Sequence, residues 1–288
     1  MELPLVVGVD GSDPSLQALD WAVGEAARRG LPLRLVHGSL WERYEGGHPS
    51  VGTEPPAETL MAEHVIASAA ERATLRDPEV KVSGEVMPDD AASALLREGQ
   101  DATALIMGSR GRNEVAELLL GSVGLSVAAR AVCPVVVVRG AEPNRHAAFG
   151  RVVVGVGDAD RGANALRFAL REAGSRGCAL HAVRAWRSPV GEWRDRSGDS
   201  SRESRLRAEG ILSGALLRAE ADRHGVDVFQ EVVGGPAHKV LLDAAAEADL
   251  VVVGAARRHG HFGLQLGPVA HALLHHSRSP VAVVPQWT

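Results

Sequence analysis

The sequence predicts two tandem α/β domains, each built on a five-stranded parallel sheet flanked by helices. The chain has 288 residues, which is about two domains at the usual ~150 residues each, and 45% of its residues are hydrophobic. The two halves also repeat each other. Leu105–Gly108 reappears as Val251–Gly254, and Pro134–Val138 reappears as Pro280–Val284, both with an offset of 146 residues. We therefore expect the same fold twice.

The join between the two copies is expected where the repeat pattern is interrupted. Gly140 and Pro143 break the apolar pattern there, as residues of a surface connection commonly do. We accordingly assign residues 1–140 to the first domain, 141–150 to a linker and 151–288 to the second domain.

Within each copy, short apolar runs alternate with longer segments of helical period, which is typical of parallel strands joined by crossover helices. The fourth and fifth strands are apolar on successive residues, which predicts that helices cover both faces of the sheet. The first helix should open with Asp13 as its N-cap and Pro14 as its first helical residue. Strands are expected at 5–9, 33–38, 80–86, 104–108 and 134–138, and again at 152–156, 179–185, 226–233, 250–254 and 281–284.

Composition excludes several classes of protein. The net charge is −5 and only 3% of residues are aromatic, so we expect no nucleic-acid partner. No apolar stretch is long enough to span a membrane, and the first residues do not resemble a signal peptide. Cys133 and Cys178 are too few for a disulfide framework, which favours a reducing, cytoplasmic compartment.

One glycine-rich constellation carries the chemistry of the first half. It reads Gly108-Ser-Arg-Gly111, then nine residues, then Gly121-Ser122. Glycines let backbone N–H groups approach an anion, and a serine at a helix start adds a hydroxyl beside the positive end of the helix dipole. Arg110 and Arg112 add positive charge. The arrangement predicts a polyphosphate site.

This constellation, together with Val6–Ser12 after the first strand, resembles the ATP-binding pattern of the universal stress protein family. The resemblance implies a Rossmann-like fold of the adenine nucleotide alpha hydrolase type, with sheet order 3-2-1-4-5. It also implies that Asp10 contacts the adenosine part of the ligand and that Met107 lies near adenine. The implied ATP-binding residues are Gly8, Val9, Asp10, Met107, Gly108, Arg110, Gly111, Gly121, Ser122 and Val123.

The second half departs from this pattern. Arg257 stands in place of the second glycine, Pro268 in place of the serine, and Gly157 in place of the acidic residue. Asp158 could replace the acid from one position later. Because three polar contacts of the motif are changed, we expect ATP binding in the first domain and not in the second.

No catalytic constellation is recognisable. The sequence has no Gly-x-Ser-x-Gly elbow, no P-loop lysine and no carboxylate pair near the glycines, so we expect no catalytic residues. His271 and His275 are one helical turn apart but have no third ligand, so we expect no metal site. ATP, with or without Mg²⁺, is the expected cofactor.

The expected function is a cytoplasmic, nucleotide-responsive stress regulator with at most slow ATP hydrolysis or self-phosphorylation. A nucleotide-dependent transferase or hydrolase and a ligand-free interaction scaffold remain as alternatives. The resemblance further implies that the fifth strands, 135–138 and 281–284, pair antiparallel, so that one chain imitates a dimer. A homodimer of the whole chain is a further form of assembly that the sequence leaves open.

Overall fold

The computed structural model describes residues 2–40, 57–111, 120–158, 163–187, 199–257 and 266–287. The chain divides into two compact units, Met1–Arg139 and Gly140–Thr288. Each unit is an α/β domain in which strands and helices alternate along the chain.

The elements of the first unit are β1 (Leu5–Gly8), α1 (Asp13–Arg29), β2 (Leu33–Gly38), α2 (Ala57–Arg76), β3 (Val82–Met87), α3 (Ala91–Glu98), β4 (Ala104–Gly108), α4 (Ser122–Arg130) and β5 (Val135–Val138). The five strands are parallel and lie in the order β3-β2-β1-β4-β5, which confirms the expected order 3-2-1-4-5. Helix α1 packs on β1, β4 and β5, and helix α3 packs on β1 and β2.

The elements of the second unit are α5 (Glu142–Arg145), β6 (Arg151–Gly155), α6 (Ala163–Arg176), β7 (Ala179–Trp186), α7 (Asp199–Arg218), β8 (Val228–Gly234), α8 (Ala237–Ala245), β9 (Leu250–Arg257), α9 (Pro268–His276) and β10 (Val281–Trp287). The unit repeats the topology of the first, with five parallel strands in the order β8-β7-β6-β9-β10. Across both units, no helix in the described ranges is long and apolar enough to cross a membrane.

The central strands form the core of each unit. Successive residues of β4 and β5 are buried, Leu105 and Val137 completely so, because helices cover both faces of the sheet. The edge strands β3 and β8 are largely exposed on successive residues. The sheet therefore places its most buried strands beside the site described below.

Helix α1 begins differently from the sequence expectation. Ser12, and not Asp13, is the N-cap, because the Ser12 hydroxyl oxygen accepts a hydrogen bond from the backbone N–H of Ser15 at 3.4 Å. Asp13 is the first helical residue, and its negative charge lies near the positive end of the helix dipole. The helix ends at Gly30, whose φ of 64° is the left-handed conformation that glycine adopts without strain.

Residues 141–150, the expected linker, belong to the second compact unit; most of them are exposed, but Asn144 anchors the segment there. Asn144 is 3% exposed, and its amide donates to the carbonyls of Ala246 at 3.1 Å and Ala248 at 2.8 Å. These carbonyls follow the end of α8, where a helix has no internal donors left. A Cβ on Gly140, where φ is 88°, would lie 2.0 Å from the carbonyl oxygen of Arg278. This segment therefore contributes packing contacts and hydrogen bonds to the second unit.

Candidate functional site

A cleft of about 350 Å³ opens in the first unit at the carboxyl ends of β1 and β4. These strands are parallel neighbours, so the loops that follow them leave the sheet at the same edge, where the strand order reverses. All ten residues expected from the sequence line this cleft: Gly8, Val9, Asp10, Met107, Gly108, Arg110, Gly111, Gly121, Ser122 and Val123.

The carboxylate of Asp10 is held in place just after the carboxyl end of β1. Its Oδ1 accepts hydrogen bonds from the Ser12 hydroxyl at 2.6 Å and from the Ser12 backbone N–H at 3.0 Å. A Cβ built on Gly111 would lie 2.8 Å from Asp10 Oδ2. The glycine loop and the carboxylate therefore lie against each other across the cleft, as the sequence motif requires.

The glycine loop follows β4 and returns to the start of α4. A Cβ on Gly108 would lie 2.5 Å from the carbonyl oxygen of Pro14, so a side chain there would force β4 away from α1. The backbone N–H of Gly121 donates to the carbonyl of Ser109 at 3.0 Å, which joins the two ends of the loop. The residues between them, 112–119, including Arg112, lie outside the described residues.

The start of α4 faces the cleft. Gly121 is its N-cap and, having no side chain, makes no side-chain capping hydrogen bond. Ser122, Val123 and Gly124 of this first turn all line the cleft. The first N–H groups of a helix have no acceptor within the helix, and the helix dipole is positive there. An anionic group is therefore the favoured guest at this end of the cleft.

Two arginines carry positive charge near the same end. Arg110 lines the cleft, and Arg139 follows directly after β5, the strand beside β4. Burial of Arg139, and then repulsion from Arg110, lower the pKa of the Arg139 guanidinium to about 10. Two cations close together in a partly dehydrated place are stabilised when an anion binds near them.

Eight lining residues were not singled out from the sequence. The side chain of His37, near the end of β2, points to the end of β1, because its Nδ1 lies 2.8 Å from the carbonyl oxygen of Val9 and must donate to it. The signal that could have found this residue is the strand order, which places the end of β2 beside that of β1. The eight residues are Ser15, Val36, His37, Gly38, Ala91, Leu95, Ser109 and Gly124.

The equivalent place in the second unit has a different charge. Gly157 occupies the position of Asp10. Asp158, the expected substitute, has an 85% exposed side chain and forms an ion pair with Arg184 at 3.0 Å. The Arg184 guanidinium also donates to the carbonyls of Val156, at 3.1 Å, and Gly157. A guanidinium therefore covers the end of β6.

The helix start that corresponds to α4 is also altered in the second unit. Pro268 is the first residue of α9, and its ring nitrogen carries no hydrogen, so this helix start has one N–H donor fewer than α4. Residues 258–265, which follow Arg257, lie outside the described residues.

Metal-binding side chains do not gather into a site in the part of the chain that the structure describes. The rings of His271 and His275 are close, with centroids 4.4 Å apart. Within the described ranges, however, no group of three or more His, Cys, Asp or Glu side chains could hold a metal ion.

Comparison with known proteins gives the same family for both halves. The pattern of the universal stress protein family matches residues 3–139 and 148–285. A universal stress protein of Mycobacterium tuberculosis is 33% identical over 298 residues, covering 98% of this chain and 97% of the relative.

Two solved structures of universal stress proteins from Archaeoglobus fulgidus are also similar. One covers 98% of this chain and 98% of its own, with a TM-score of 0.69 and 20% identity. The other, solved in complex with dAMP, covers 48% of this chain and 98% of its own, with a TM-score of 0.36 and 22% identity. From the two family matches and the full-length relative, we conclude that the chain belongs to the universal stress protein family, with one family domain in each half.

Proposed function

We propose that the cleft of the first unit binds ATP and that the protein acts as a nucleotide-responsive stress regulator. The observation that carries this proposal is the placement of the Asp10 carboxylate against Gly111, opposite the start of α4. A carboxylate is the acceptor that ribose hydroxyls need, and the positive end of a helix dipole suits phosphates.

The remaining lining fits the base of such a ligand. Val36 of β2, Met107 of β4 and Leu95 of α3 are buried apolar side chains that line the cleft. A volume of about 350 Å³ is within the range of small-molecule sites. We place adenine against these side chains and the phosphates toward Arg110, with Mg²⁺ brought in by the nucleotide.

We propose binding in preference to rapid turnover. Asp10 is the single carboxylate among the described residues that line the cleft. Fast phosphoryl transfer uses carboxylates to hold the metal ion and a further group to orient the nucleophile. The described lining supplies neither in addition to the proposed ribose contact, so we expect at most slow ATP hydrolysis or self-phosphorylation.

Calorimetric titration of the full chain with ATP tests the proposal. We expect one ATP per chain. The Asp10→Ala variant should bind about 10- to 100-fold more weakly, because a hydrogen bond to a charged group contributes about 1.5–3 kcal/mol. The matched control is Asp158→Ala, whose carboxylate is exposed in the second unit, and it should bind like the wild type.

Other outcomes separate the alternatives. Absence of both heat and thermal stabilisation at millimolar ATP would identify a ligand-free scaffold. Two ATP molecules per chain would contradict the assignment to the first unit. Steady-state ATP turnover at about 1 s⁻¹ or faster would favour the enzyme alternative.

The antiparallel pairing of the fifth strands, 135–138 and 281–284, stays a prediction from the family resemblance. Disulfide cross-linking between single cysteines introduced into each strand would test it, with Cys133 and Cys178 first replaced by alanine.

We also propose a cytoplasmic location. Both cysteines are free thiols in the structure, as is usual in reducing compartments. Fractionation of the source cells, followed by detection of the protein, would test this.

A further inference from the structure

One position near the carboxyl end of the second strand of each unit differs between the two copies of the fold. His37 in the first unit and Arg184 in the second each come directly after the residue that pairs with the last residue of the neighbouring first strand. Both side chains reach the same carbonyl of the fold, that of Val9 in the first unit and Val156 in the second. The two residues are therefore structural equivalents.

The side chains of His37 and Arg184 contact different numbers of backbone and side-chain groups. The His37 ring makes one hydrogen bond, to Val9 at 2.8 Å. The Arg184 guanidinium extends further along the chain that leaves β6, to the carbonyl of Gly157 and the carboxylate of Asp158. Its side chain is only 12% exposed. Arg184 therefore lies over the backbone whose counterpart in the first unit, Val9 to Asp10, lines the cleft.

The charge at this place is reversed as well. In the first unit a carboxylate, Asp10, faces the cleft, whereas in the second unit a guanidinium covers the equivalent segment. A ribose hydroxyl that needs an acceptor would meet a guanidinium, which has donors and no acceptor.

We propose that this position determines whether the nucleoside end of the crevice accepts a ligand. His37 leaves that end open in the first unit, and Arg184 closes it in the second. The inference rests on the proposed nucleotide binding by the first unit. It gives a cause for the expected lack of nucleotide binding by the second unit that is separate from the phosphate loop. Arg257 and Pro268 stand at sequence positions that match the glycine and serine of the proposed phosphate motif, so a nucleoside without phosphates isolates the effect of Arg184.

The first experiment transfers the arginine into the first unit. In the full chain, His37→Arg should weaken ATP binding at least about tenfold, because the introduced guanidinium would cover Val9 and pair with the Asp10 carboxylate. The control is Leu75→Arg, which adds the same charge at a 79% exposed residue of α2 outside the cleft and should bind within about threefold of the wild type. Circular dichroism and thermal unfolding establish that both variants are folded.

The possible results are distinct. If His37→Arg is folded and binds ATP like the wild type, the inference is wrong and the proposed function stands. If the wild type itself binds no ATP, the proposed function fails and the inference falls with it.

The second experiment opens the second unit, and it decides the matter if His37→Arg does not fold. Gly157→Asp restores the acid, and a Cβ there has no other heavy atom within 4 Å. Photolabelling with azidoadenosine, followed by peptide mapping, should label the second unit of Gly157→Asp/Arg184→His at least about threefold more than that of Gly157→Asp alone. Labelling of the first unit is the internal control. Equal labelling of the second unit in both variants, at any level, would overturn the inference.

Discussion

A methyl group added at Gly111 should damage the candidate site more than the fold. The Cβ of Gly111→Ala would lie 2.8 Å from Asp10 Oδ2. A comfortable contact is about 3.5 Å, so the carboxylate would have to move by roughly 0.7 Å. Its other oxygen is bound to Ser12 at 2.6 and 3.0 Å, so this movement would strain or break those hydrogen bonds.

The cost of this movement can be bounded. Overpacking at a constrained position costs about 1–3 kcal/mol, while replacing glycine by alanine stabilises a protein by about 0.4–1 kcal/mol through the unfolded chain. The net loss of unfolding free energy should therefore stay below about 3 kcal/mol. Binding depends on the position of the carboxylate, and loss of its hydrogen bond to ligand should weaken ATP binding by about 10- to 100-fold.

Isothermal titration with ATP and urea unfolding measure the two effects separately. The control is Gly157→Ala in the second unit, at the position equivalent to Asp10, where a Cβ meets no other atom within 4 Å. It should leave ATP binding unchanged and stability equal or slightly higher. ATP affinity of Gly111→Ala within about threefold of the wild type would refute the contact between loop and carboxylate as the basis of binding.

Two further predictions concern the scaffold. Burial raises the pKa of the Cys133 thiol to about 11 from its ordinary 9.0, so the stability that depends on the neutral buried thiol is present below pH 9 and is lost as the pH rises to 11. Urea unfolding from pH 8 to 11 should show a loss of up to about 2–3 kcal/mol that is absent in Cys133→Ala; parallel curves would contradict this. Asn144→Ala leaves buried carbonyls after α8 without a donor and should cost about 1–3 kcal/mol of unfolding free energy without altering ATP binding; a change below about 0.3 kcal/mol would contradict this.

The fold was largely predictable because it follows from local patterns of apolar residues. Runs such as Leu105–Met107 are apolar on successive residues, and only a strand buried on both faces requires this. The repeat at an offset of 146 residues then predicted the same topology twice. The strand order itself followed from the family resemblance and not from periodicity.

The glycine and acidic positions of the candidate site were also predictable, since spacing reflects what a backbone must do locally. Gly108 has to let β4 approach Pro14, and Gly111 has to leave room for Asp10. A side chain at either position would be in conflict with these neighbours, so the need for glycine is visible in the sequence.

Other features depended on contacts between segments far apart in the chain. His37 and Arg184 were not singled out, because their roles depend on which carbonyl of the neighbouring strand each side chain reaches. The packing of Asn144 beneath α8 spans about a hundred residues. By itself, the sequence determined the repeated fold and the glycine positions of the candidate site, because these follow from local conformation and burial. Only the tertiary structure decided which carbonyls His37 and Arg184 reach, because strand register sets the distance between a side chain and its partner.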